Sequence, residues 1–177
     1  MEKEELRRKL KPLYRNAEPL DLSQLLAGEE IFRRAETVAL YYPVGKEVSL
    51  KGLFAASGKR LVLPRCEGEE PVFRACTGVF SPDRYGVPSP EGEIVPIGQI
   101  DLIAVPALCF DKRGFRLGHG GGWYDRALAG FSGIAVGVIR EEFLFDRIPT
   151  DRYDRAVDRI LTEKGVSKIE RDLEKRK

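Results

Sequence analysis

The chain has 177 residues, 30 of them basic and 28 acidic, for a net charge of +2. The 42% apolar content supports a globular core, and interspersed charges of both signs argue against nucleic acid as the main partner. No apolar run approaches the ~20 residues of a membrane span, and three cysteines (Cys66, Cys76, Cys109) with one histidine, His119, do not build a zinc site of the usual spacing.

Residues 1–16 read as a charged helix with Leu6, Leu10 and Leu13 on one stripe, and Pro12 predicts a break or kink near its end. Asp21 or Ser23 can cap a second helix running to Arg34, whose apolar side is Leu22, Leu25, Leu26, Ile31 and Phe32. Residues 37–43 form a compact β-branched and aromatic run ended by Pro43 and Gly45, which predicts a buried strand. Ser49 can cap a short helix to Gly58, and strands follow at 59–65 and 71–77. Between Gly78 and Gly98 proline, glycine and serine cluster without periodicity, so a long loop is expected.

Residues 100–110 are the most apolar segment and predict a central strand. Residues 114–122 break it, and residues 123–129 look like the first turns of a helix. Further strands are expected at 133–139 and 156–162, and beyond Gly165 a charged helix or a frayed end, with 166–177 as a charged tail. Strand–helix alternation without repeats or linkers predicts one domain over 1–177: an α/β, three-layer, Rossmann-like fold with a mostly parallel central sheet. Unpaired thiols and no signal peptide predict a cytoplasmic setting.

The chemistry concentrates between Phe110 and Arg126. Five glycines fall within nine positions, between a buried strand and a helix start. Glycine lets backbone N–H groups approach a ligand closely, and a helix N-terminus adds positive potential, so the segment reads as a phosphate cradle. Arg116 and Arg126 bracket it with fixed charge, and Asp125 is a carboxylate suited to Mg²⁺. A Walker loop is excluded because its lysine is missing. The dinucleotide fingerprint fails because Trp123 stands where its last glycine belongs. His119-Gly120-Gly121-Gly122 spells an esterase oxyanion motif, but no GxSxG follows and no second histidine remains to serve as base.

The same segment resembles the 5-formyltetrahydrofolate cyclo-ligase (methenyltetrahydrofolate synthetase) family. Pro106, Leu108, Phe110 and Asp111 match its P-x-L-x-F-D strand, and Arg116 through Asp125 match its R-L-G-x-G-x-G-[YW]-Y-D motif. The resemblance extends to Lys3-Glu4-Glu5-Leu6-Arg7 with Arg15, to Tyr41-Tyr42-Pro43 with Glu47-Val48, and to Leu63-Pro64-Arg65. It continues through Tyr85-Gly86-Val87-Pro88 and through Asp154, Val157 and Asp158. Three positions depart from the family pattern. Gly121 stands where a lysine is frequent, Tyr153 where a histidine usually precedes the late aspartate, and Glu141, Glu142 and Phe143 where a glutamine is common.

The resemblance implies a scaffold like that of sugar-phosphate isomerases and CoA-transferases. It also implies ATP-dependent conversion of 5-formyltetrahydrofolate to 5,10-methenyltetrahydrofolate, with 5-formyltetrahydrofolate and ATP as partners, Mg²⁺ as cofactor and a monomer as the working state. By motif match Lys3 and Arg7 in the amino-terminal helix reach the ATP phosphates. Arg116, Leu117, Gly118, His119, Gly120, Gly121, Gly122, Trp123 and Tyr124 form the nucleotide wall. Tyr42, Glu47 and the stretch His119–Trp123 contact the folate, Asp125 and Asp154 hold Mg²⁺, and Arg116, Tyr124 and Asp125 carry catalysis.

Without the resemblance, Lys3 and Arg7 would read as a solvated helix face, and Asp154 and Asp158 as surface ion pairs. The three cysteines read as small buried hydrophobes. A non-catalytic nucleotide- or folate-binding module is the alternative that the Gly121 and Tyr153 departures support. A sugar-phosphate isomerase would need a base beside the glycine loop, for which Asp111 and Asp125 are the candidates.

Overall fold

A computed structural model describes residues 1–55 and 58–169. The chain opens with helix α1 (Lys3–Arg15), then α2 (Ser23–Gly28) and α3 (Glu30–Arg34), strand β1 (Thr37–Ala39) and a 3-10 turn at Lys51–Leu53. Strands β2 (Arg60–Glu67) and β3 (Glu70–Ala75) form a hairpin, followed by β4 (Phe80–Pro82) and β5 (Pro88–Pro90). Then come β6 (Leu102–Pro106), β7 (Cys109–Asp111), β8 (Arg116–Leu117), α4 (Trp123–Ala129), β9 (Ile134–Val138), β10 (Leu144–Phe145), β11 (Arg159–Thr162) and β12 (Gly165–Lys168).

Seven strands make the main sheet in the order β12-β11-β9-β6-β1-β2-β3. The inner five pair in parallel, and β3 and β12 add antiparallel edges. Alternation along β6 shows why both faces must be covered. Leu102 and Ala104 join one core cluster with Leu22 just before α2, Leu26 from α2 and Phe32 from α3, while Ile103 and Val105 join the other with Leu6, Leu10 and Tyr14 from α1. A strand buried on both faces reads as a continuous apolar run, which is what residues 102–105 are. The expected α/β architecture with a mostly parallel sheet is thus the observed one. From β1 the chain builds outward through β2, and from β6 it builds the opposite way through β9 and β11. The switch point between β1 and β6 opens a crevice at the carboxyl ends of these strands.

Several local expectations differ. Helix α1 runs through Pro12, because Leu10 and Tyr14 on either side of it are anchored in the core. The Tyr14 hydroxyl donates to the Ala107 carbonyl at 2.9 Å, and its ring stacks on Phe143 at 4.8 Å. The buried stripe is therefore Leu6-Leu10-Tyr14, and Leu13 is 56% exposed. The single helix expected to Arg34 is two, broken where Glu29 is extended. The run at 100–110 divides at Ala107–Leu108, with β7 leaving the main sheet to pair with β8 and β10.

The proposed loop at 78–98 holds the β4–β5 hairpin. Its turn is built by Asp83, whose carboxylate accepts from the Tyr85 and Val87 amides, and by Gly86 at φ +77°. Proline and serine alternate there without apolar periodicity, so the strands left no pattern to read. Past Gly165 the chain is strand β12 rather than helix, and residues 170–177 of the charged tail lie outside the described residues. The helix expected to run from Ser49 to Gly58 is a 3-10 turn at Lys51–Leu53, and residues 56–57 of that span also lie outside the described residues. Among the described residues no helix is long and apolar enough to cross a membrane.

Candidate active site

The crevice at the switch point is a cleft of about 1230 Å³. Every residue assigned above by motif match lines it: Lys3 and Arg7 from α1, Tyr42 and Glu47 after β1, Arg116 to Asp125, and Asp154 before β11. Residues 151 positions apart in sequence meet because α1 packs across the loops that close the parallel strands.

The glycine segment is held from below. Gly122 takes the left-handed φ of +64° at the N-cap of α4, and Gly120 stands at φ +113°, conformations that disfavour any side chain. At Gly118 a Cβ would come within 2.5 Å of the Arg116 guanidinium. Arg7 Nε donates to the Gly118 carbonyl at 2.9 Å, and Arg126 donates to the Gly121 carbonyl at 2.8 Å. Two arginines thus hold the glycine loop by its carbonyls.

Arg116 is buried, and burial holds its guanidinium below the usual range despite the carboxylate of Asp125 3.3 Å away. Its Nε has no hydrogen-bond partner among the described residues. The guanidinium lies 5.3 Å from the centre of the Tyr124 ring, and burial, with Glu47 next, pushes that phenol far above its ordinary value. Tyr124 is a protonated donor at every physiological pH. Asp125 is engaged twice, by Arg116 and by the Arg155 amide at 3.1 Å.

On the α1 side, Lys3 Nζ donates to Asp151 at 2.6 Å and to both oxygens of Asp154 at 2.6 and 2.8 Å. Burial opposes its charge, yet the bonds from Asp151 and Asp154 hold Lys3 above its ordinary range. Across the cleft Glu47 is largely enclosed. One of its oxygens accepts from the Val44 amide at 2.9 Å, and the other lies 3.6 Å from His119 Nε2. Tyr42 is braced by Lys51, whose ammonium bonds its hydroxyl at 3.1 Å and sits 4.6 Å from the ring centre.

Other assignments change. Lys3 and Arg7 are not a solvated face, since each bonds to a distant segment. Asp154 is nearly enclosed against Lys3, and Asp158 accepts from the Ala135 amide, so each is tied into the fold. Cys66 lines the cleft rather than the core, with burial and then Asp83 raising its thiol. Asp111 is fully buried under Arg113 and the amides of Arg113, Phe115 and Ile148. Asp111 is sealed away and Asp125 is paired, so neither candidate base of the isomerase reading is free.

Sequence reasoning missed Asp151 and Arg155, which lie in a charged stretch that resembles ordinary surface. It also left the roles of Arg84, Tyr85 and Tyr153 open, although all three line the cleft. Exposed tyrosines at a glycine-rich site were the available signal.

Among the described residues no three His, Cys, Asp or Glu side chains group as a metal cage. Mg²⁺ takes one or two carboxylates and completes its shell from phosphate and water. Asp125 and Asp154 are the carboxylates that could supply such oxygens, and in this structure they pair with Arg116 and Lys3.

A crevice at the switch point of a mostly parallel sheet, with a cationic, glycine-lined wall, is a ligand site of the α/β class. The comparisons then give the family. Residues 2–163 match the model of the 5-formyltetrahydrofolate cyclo-ligase family. A 5-formyltetrahydrofolate cyclo-ligase of Mycolicibacterium smegmatis is 32% identical over 89% of this chain and 88% of its own. The NMR structure of Aquifex aeolicus 5,10-methenyltetrahydrofolate synthetase superposes with a TM-score of 0.83 at 35% identity, covering 98% of this chain and 96% of that one. A Mycoplasma pneumoniae 5,10-methenyltetrahydrofolate synthetase shares the fold, with a TM-score of 0.71 at 23% identity, over 90% of this chain and 98% of its own. The chain belongs to the 5-formyltetrahydrofolate cyclo-ligase family.

Proposed function

We propose that the chain closes 5-formyltetrahydrofolate to 5,10-methenyltetrahydrofolate, with ATP converted to ADP and phosphate. The observation that carries this reading is the two-sided cleft. A glycine loop gripped by arginines forms one wall, and Tyr42 with the enclosed carboxylate Glu47 forms the other.

The formyl oxygen attacks the γ-phosphorus, the bond to the β-phosphate oxygen breaks, and ADP leaves. N10 then attacks the activated carbon, phosphate departs with the C–O electron pair, and the N10 proton passes to it. Such a transfer needs alignment and charge neutralisation more than acid–base groups. Lys3 and Arg7 take the phosphates, with the amides of Gly118–Gly122 beside them. Arg116, with an unpartnered Nε, offers a fixed charge that burial keeps from being screened. Tyr124 donates from its protonated phenol. Glu47 accepts from the pterin N–H edge, held by the Val44 amide, and His119 closes over it. Asp125 and Asp154 would hold Mg²⁺, which neutralises charge on the phosphate oxygens.

The free thiols support a cytoplasmic setting. Protein, 5-formyltetrahydrofolate and MgATP should together give the methenyl chromophore with one ADP per turnover. ADP release without the chromophore, or neither product, would overturn the reading.

A further inference from the structure

The rim of the cleft carries two arginine–tyrosine pairs, Arg84–Tyr85 on the β4–β5 turn and Arg152–Tyr153 before β11. In each the guanidinium lies over the following ring, at 4.8 and 4.7 Å from its centre, and bonds its hydroxyl. Tyr85 is 65% exposed and Tyr153 66%, so one face of each ring is covered while the residue still opens to the cleft. Neither ring packs in a core cluster.

The two differ in what surrounds them. Tyr153 belongs to a turn tied at every side to the cationic half of the cleft. Its amide donates to Asp151, Asp151 and Asp154 both grip Lys3, and the Arg155 amide holds Asp125. Tyr85 stands on the β4–β5 turn, where its amide donates to the Asp83 carboxylate, itself a residue of the cleft lining. Lys3 is bonded to Asp151 and Asp154, which flank Tyr153 in sequence, so a nucleotide whose phosphates reach Lys3 has this ring within reach.

We propose that Tyr153 is the base-stacking residue for the nucleotide, receiving the purine on the face opposite Arg152. This rests on the ATP-dependent reading above. An aromatic base stacks on an aromatic ring of any identity, and the fixed turn spares the ligand the cost of ordering the ring. It also gives a physical role to the position where this chain has Tyr in place of the frequent His, because both are flat rings.

The test separates base from phosphate. ADP and inorganic tripolyphosphate are titrated calorimetrically into wild type, Tyr153→Leu, Tyr153→Phe, Tyr153→His and Tyr85→Leu. Tyr153→Leu should weaken ADP roughly 5- to 100-fold, the range found when a stacking ring is removed, and leave tripolyphosphate unchanged. Phe and His at the same position should keep most of the ADP affinity, and Tyr85→Leu should keep all of it. Equal losses for ADP and tripolyphosphate, an unchanged ADP constant in Tyr153→Leu, or a loss confined to Tyr85→Leu would each overturn the proposal. A wild type that binds tripolyphosphate and ADP equally would overturn it too while sparing the phosphate site, and one that binds neither would overturn the ATP-dependent reading itself.

Discussion

Glu47 is the residue on which the folate half of the cleft turns. Its carboxylate is nearly enclosed, with one oxygen committed to the Val44 amide and the other free to face a ligand beside His119. Gln at this position can keep the Val44 bond through its carbonyl but turns an NH₂ toward the pterin donors. Losing a charge-assisted bond and opposing two donors should cost about 2–4 kcal/mol, roughly 30- to 1,000-fold in folate affinity. Binding of ADP to Glu47→Gln should be unchanged, because the phosphate wall lies across the cleft. Separate titrations of the two ligands decide it, and an equal drop in both would remove Glu47 from the folate site. Asp125 behaves differently, because it faces a buried guanidinium. From sequence it reads as a loop carboxylate whose loss touches only ligand charge. In the structure Asp125→Asn also leaves Arg116 without its anion, at a cost of about 1–3 kcal/mol. Turnover should vanish, and melting should fall by about 2–12 °C. An unchanged Tm would mean that Arg116 draws nothing from Asp125.

Helix α1 separates folding from binding on two of its faces. Leu6 is buried in the core, whereas Arg7, one position on, reaches the Gly118 carbonyl in the cleft. Leu6→Ala should cost about 2–5 kcal/mol of stability and leave ADP affinity nearly unchanged. Arg7→Gln should do the reverse, weakening ADP roughly 10-fold or more through a lost charged contact with little change in Tm. Thermal melts and calorimetry on both variants check this, and matched effects would make α1 one cooperative unit. The existence of α1 was legible because its apolar spacing is helical, but its register was not. Tyr14 counts as an amphipathic ring, so Leu13 looked like the third stripe residue until packing chose between them. Strand β6 was legible as an unbroken apolar run. The departure of β7 to a second sheet was not, because both segments are equally apolar and only the pairing with β8 distinguishes them.

At the scale of the molecule, the cleft is assembled from segments far apart in sequence. Core clusters fill the two faces of the sheet, and the cleft draws on α1, the turn after β1, the glycine loop and residues 151–155. The glycine loop was legible in one dimension because its chemistry is local. Lys3 and Asp154 carried weight only through resemblance, since their meeting depends on how α1 crosses the sheet. Once there, Lys3 bonds both oxygens of Asp154 and one of Asp151. A nucleotide bridging Lys3, Arg7 and the glycine loop would therefore couple these segments. At a concentration 100 times its Kd, ADP should stabilise the fold by about 2.7 kcal/mol, which for a chain of this size is a rise in Tm of roughly 5–11 °C. Hydrogen exchange should locate the effect: amides of α1 and residues 118–126 and 151–155 should slow, while those of β9 and β11, already buried in the sheet, should change only through global unfolding. Arg7→Gln should reduce the gain at the same ADP concentration. Protection spread evenly over β9 and α1 would mean that the ligand acts on a rigid body, and the coupling assigned to the cleft would be wrong.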